Sequence, residues 1–133
     1  MEYTTKRRGI TMSLETCYQA LEGDYETVYN RLNKNERIVK KFVLKFLDDS
    51  SYDLLEKSIK EENYREAFRA AHTIKGICQN LSFTRLFTSI DVLAEALRNE
   101  DNIDFAKVPE LVQAVERDYK VTADAIRALQ AEG

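Results

Sequence analysis

Tryptophan is absent from this chain, proline occurs once, and glycine occurs four times in 133 residues. So few helix breakers argue for long helices, and no stretch alternates apolar and polar residues in the manner of a strand. Zinc ligands of the Cys/His kind are equally scarce: one histidine, His72, and two cysteines, Cys17 and Cys78. The cysteines lie far apart and form no CxxC pair, so a zinc site of the usual Cys/His kind is out of reach and no metal is expected. Both thiols are expected to be free in a reducing compartment, which makes the cytoplasm the expected location. No apolar run approaches the roughly 20 residues of a membrane span, and the basic opening MEYTTKRRGITM has no apolar core behind it, as a signal peptide would. A net charge of −3 gives no global basic character, so neither nucleic acid nor membrane is an expected partner. A glycine-rich phosphate loop is also missing, so neither ATP binding nor ATP-dependent kinase activity of its own is expected.

What is present is helical patterning. The length suits one domain, with residues 1–12 read as a flexible lead-in and residues 13–133 as the helical domain. Ser13, Asp24, Asn35 and Asn63 each stand where a helix N-cap would, Ser50 with Asp53 resembles a capping pair, and Gly23 reads as a helix stop. Ile38, Val39, Phe42, Val43, Phe46 and Leu47 recur at helical spacing, as do Leu86, Ile90, Leu93 and Leu97. Pro109 opens a last long helix whose stripe runs through Leu111, Val115, Tyr119, Ile126 and Leu129, with Thr122 its one polar member. These segments predict an all-α fold, an antiparallel helix bundle with short accessory helices at the amino end.

The histidine lies in AFRAAHTIKGICQNL. At roughly 100° per residue, Ala67, Ala71, Ile74, Cys78 and Leu81 share one narrow sector and form the inward seam. His72 falls about 140° from the centre of that sector, on the outward side with Arg65, Arg69, Gly76 and Gln79. Lys75 follows His72 at the i+3 spacing of neighbouring side chains. Glycine inside a helix costs about 1 kcal/mol relative to alanine. Gly76 therefore needs a reason: either close packing against another helix, or clearance beside His72 for a large approaching object. A surface histidine and a surface lysine are the plain alternatives for the other two. An open neutral imidazole is a good nucleophile, and attack on a phosphoryl group gives a phosphoramidate that can pass the group on. An adjacent ammonium, here Lys75, would stabilise the charge on the phosphoryl oxygens.

AAHTIKGICQNLSFTRL resembles the signature of histidine-containing phosphotransfer (HPt) domains, in which a histidine is followed after two residues by Lys-Gly. The resemblance extends through ALEGDYETVYNRL, FVLKFLDD and TRLFTSIDVLAEAL, covering about residues 18 to 130. It implies a four-helix bundle core with the histidine exposed midway along one helix. It implies a phosphocarrier relaying a phosphoryl group between the aspartates of receiver domains, with His72 phosphorylated, Lys75 interacting with the phosphoryl group and Gly76 giving the receiver room. The implied partners are response-regulator receiver domains and a hybrid sensor kinase. The magnesium used in transfer belongs to the receiver, so no cofactor is expected here. A monomer is expected, with Arg65, Phe68, Arg69 and Gln79 as the docking surface and Arg85 reaching it from the next helix. For Phe68, ordinary bundle packing is the plain alternative.

Two positions depart from the family pattern. Its later glycine corresponds to Ser82, read here as a cap for the next helix. The carboxylate that orients the imidazole in some kinase-attached members corresponds to Ala94, with Glu95 beside it, which favours a free-standing relay protein. The competing function is a non-catalytic helical adaptor that binds a receiver or another partner without carrying phosphate.

Overall fold

A computed structural model describes residues 12–132, and the secondary structure among them is entirely helical. Apart from Met12, the expected lead-in lies outside the described residues, as does Gly133. The helices are α1 (Leu14–Leu21), α2 (Tyr25–Arg31), α3 (Glu36–Lys45), α4 (Ser51–Lys60), α5 (Tyr64–Leu81), α6 (Thr84–Leu97) and α7 (Val108–Ala131). A 3₁₀ turn, Phe46–Asp48, continues α3, and another, Glu100–Asn102, lies between α6 and α7.

The first N–H groups of a helix have no partner within it, and a side-chain oxygen that accepts from one is worth about 1 kcal/mol. Ser13, Asp24, Asn35 and Asn63 do this for α1, α2, α3 and α5, accepting from the N–H three residues on at 3.0, 3.1, 3.2 and 3.2 Å. At α4 the expected Ser50 makes no such bond. Asp49 acts instead, its Oδ1 accepting the Ser51 N–H at 2.8 Å.

The end of α1 also differs from expectation. Glu22, not Gly23, takes the left-handed conformation, with φ 58°. Gly23 serves a close approach: a Cβ there would lie 2.6 Å from the Ser82 carbonyl oxygen. The same carbonyl accepts the Asp24 N–H at 2.9 Å, so the α1–α2 turn is fastened to the α5–α6 turn. Ser82 does not cap α6, whose N-cap position is Phe83 and carries no side-chain cap bond. Ser82 is instead the left-handed C-cap of α5, with φ 58°. It adopts the backbone shape that a glycine would adopt without steric penalty.

Helix α5 packs against both α4 and α6, while α7 packs against α6, α1 and α3. All five residues of the predicted α5 seam are buried, together with Ala70. Three of those six are alanines, which lets neighbouring backbones come close. Leu86, Ile90, Leu93 and Leu97 of α6, which packs beside α5, are buried as well. Tyr52 of α4 stacks on Tyr119 of α7 at 3.8 Å and 5°. Thr122 is fully buried and donates to the Asp118 carbonyl at 2.9 Å, which satisfies the one polar member of the α7 stripe. The α3 stripe is narrower than its sequence suggests: Val39, Val43 and Phe46 are buried, but Ile38 and Phe42 remain exposed. Cys17 and Cys78 are buried and unbridged. Burial pushes the Cys17 thiol up to about 12 and raises that of Cys78 as well.

Candidate functional site

The buried alanine seam turns the opposite face of α5 outward, and His72 is exposed there, about midway along the 18-residue helix. Its ring has an aromatic neighbour on the same helix. Phe68, one turn earlier, lies with its ring centroid 5.8 Å from the imidazole and 27° from parallel. Phe68 is half-buried against the core, so one side of the pair is anchored. The Arg98 guanidinium lies over the Phe68 ring at 5.2 Å, within cation–π range. Arg98 is in turn held by Glu95 at 2.7 Å. That bond, ahead of the charge on Arg98 and a smaller contribution from Lys75, keeps the Glu95 carboxyl below its ordinary value.

The Lys75 side chain is half-buried and reaches across to α6, where its Nζ lies 2.7 Å from Asp91 Oδ1. This is a charge-assisted contact of the short kind. Sequence reasoning missed Asp91. The available signal was antiparallel register: pairing His72 with Ala94 across α5 and α6 places Lys75 opposite position 91. Ala94 itself is buried, and the Glu95 carboxylate is engaged by Arg98.

Gly76 faces open space. A Cβ built on it would meet no heavy atom within 4 Å outside the local helix. Close helix packing therefore does not explain the glycine. By the turn count, Phe68 and Lys75 lie on one flank of His72, about 40–60° away, and Gly76 and Arg69 lie on the other. On that second flank α5 also borders a cleft of ≈ 620 Å³, whose apolar lining includes Phe42, Phe46, Ile77 and Leu81.

The remaining expected residues are dispersed along the same face. Arg65 is paired with Glu100 at 2.8 Å, Arg69 with Glu66 at 3.2 Å, and Gln79 is exposed. Arg31 donates to the Gln79 and Asn80 carbonyls, satisfying the C-terminal end of α5. Arg85 does not join this group. Its Nε lies 2.7 Å from Asp118 on α7 and its Nη1 lies 2.6 Å from Glu22, so it braces α6 against α7 and the end of α1. Among the described residues no group of three or more His, Cys, Asp or Glu could hold a metal ion. No helix among them is long and apolar enough to cross a membrane.

A family model described as Hpt domain matches residues 42–132, from the second half of α3 to the end of α7. The match includes His72, Lys75, Gly76 and Asp91 and leaves α1 and α2 outside it. No curated protein and no solved structure matches the chain.

Proposed function

The chain belongs to the Hpt domain family, whose members are phosphocarrier modules of two-component phosphorelays, and on that premise we propose that His72 is the carrier. In this reading the protein accepts a phosphoryl group from the aspartate of one receiver domain and delivers it to the aspartate of another. The observation that supports it is an exposed imidazole with open space at Gly76 one turn beyond it.

The step balances simply. A ring nitrogen of neutral His72 directs its lone pair at phosphorus. An N–P bond forms as the P–O bond to the receiver aspartate breaks. That bond's electron pair stays on the departing carboxylate, and the other ring nitrogen keeps its hydrogen. The reverse sequence at a second receiver returns the imidazole. Lys75 supplies positive charge to the transferring oxygens, and the magnesium bound by the receiver supplies the rest. The Phe68 stack restricts the imidazole, which lowers the entropy lost on reaching an in-line geometry.

The docking surface in this reading is the outward face of α5, with Phe68 as its apolar centre and Arg65, Arg69 and Gln79 around it. This gives the apolar core and polar rim of a transient interface. The same proposal takes α4 to α7 as the antiparallel four-helix core and α1 to α3 as accessory elements. The short turns between α4, α5 and α6 support this.

The test is to incubate the protein with a phosphorylated receiver from the same genome and analyse the product. Phosphate that is labile in acid, stable in alkali and located on His72 supports the proposal. Stable receiver binding with no phosphohistidine supports the adaptor reading instead.

A further inference from the structure

Lys75 is the residue expected to meet the phosphoryl group, yet in the unmodified protein its ammonium is already occupied. Asp91 Oδ1 lies 2.7 Å from Nζ. The pair is partly sheltered, with 22% of the Lys75 side chain and 39% of the Asp91 side chain exposed, so water screens it less than a fully exposed pair. Among the described residues another cation near this flank, Arg98, is held by Glu95 at 2.7 Å and lies over Phe68. Asp91 and Lys75 are thus each other's short-range partner, on facing helices, beside the histidine that the family match covers.

A lysine ammonium has three donors on a flexible four-carbon stem, whereas a guanidinium is a rigid fork. It can swing from one anion to another within reach without any backbone change. A phosphoryl group on His72 would present a second, more highly charged anion one helical turn away.

We propose that Asp91 is a positioning residue acting through Lys75: a resident counter-ion that holds the ammonium while His72 is empty and competes for it when His72 is phosphorylated. This rests on the phosphocarrier reading above and adds a function to it. Competition raises the free energy of phosphohistidine relative to the empty histidine, and so favours handing the group on over keeping it. No bond is made or broken at Asp91. One ion pair exchanges for another.

The experiment measures the equilibrium of phosphoryl exchange between one receiver and this protein, comparing the unchanged chain with Asp91→Asn. Because the ion pair is partly exposed, the expected effect is modest, about a two- to fivefold shift toward phosphohistidine. The direction is diagnostic, since a variant that merely damaged the fold would lose phosphohistidine. Circular dichroism and urea unfolding confirm that Asp91→Asn is folded. In a Lys75→Gln background the same substitution should give a much smaller shift. An equal shift there would mean that Asp91 acts by its own charge and would overturn the part given to Lys75. An Asp91→Asn equilibrium identical to that of the unchanged chain, or displaced toward the receiver, would overturn the proposal while leaving the carrier reading intact. Absence of phosphohistidine on the unchanged chain would instead overturn the carrier reading itself.

Discussion

The rings of Phe68 and His72 lie 5.8 Å apart between centroids and within 27° of parallel, one helical turn apart on the outward face of α5. Phe68 faces two ways: it packs against the core and it flanks the imidazole. Replacing it by alanine should therefore do two separable things. Stability should fall by about 1–3 kcal/mol in urea unfolding, less than for a fully buried phenylalanine. Transfer from a saturating receiver should also slow, because the imidazole loses the surface that limits its rotamers. Phe68→Leu should recover most of the stability and less of the rate. Equal recovery of both would reduce Phe68 to a packing residue.

In the proposed reading, Gly76 gives up helix stability for access to His72, and substitutions can separate the two. Alanine would place its Cβ in open space, so Gly76→Ala should stabilise the protein by about 0.5–1 kcal/mol. Gly76→Gln should also retain or improve thermal stability, yet slow transfer on the order of tenfold to a hundredfold by obstructing the receiver. Unimpaired transfer in the glutamine variant would contradict the clearance role.

The inward seam of α5 and the caps of α1, α2, α3 and α5 were legible in the sequence because both are local. Helical period and a capping side chain are set within a few residues. The outward placement of His72 follows from the same count. What escaped was set between helices. Asp91 becomes the partner of Lys75 only through the register of α6 on α5, and Arg85 is drawn to Asp118 by the approach of α7. Gly23 looked like a helix stop, but its reason is a carbonyl 59 residues away, at Ser82. The α3 stripe misled because an apolar face does not reveal how much of it other elements will cover.

The fastening of the two turns gives a paired prediction. Gly23→Ala should lose about 1–3 kcal/mol, because the new methyl group would overlap a backbone oxygen that cannot rotate away. Ser82→Gly should gain about 0.5–1 kcal/mol by relieving a left-handed residue that carries a side chain. Urea midpoints at constant slope measure both. A destabilising Ser82→Gly would show that its side chain has a structural role beyond the turn.

Asp118 is 6% exposed, and its principal partner is Arg85, with Arg117 more distant at 3.5 Å. Arg85→Met should cost about 1–3 kcal/mol by leaving a buried carboxylate poorly paired, discounted because Arg85 itself is partly exposed. Adding Asp118→Asn should return part of that loss. A further loss in the double variant would show that Asp118 has another essential partner. Phosphotransfer should be little changed in either variant, because Arg85 is engaged by α7 and Glu22.

The most direct measurement is a two-receiver pulse–chase. The protein is loaded from a radiolabelled phosphorylated receiver, separated from it, and offered an unlabelled second receiver. The account predicts acid-labile label on the protein at His72, its loss as label appears on the second receiver, and no labelling of a folded His72→Gln variant. Label that survives mild acid, or that appears equally on His72→Gln, would contradict it.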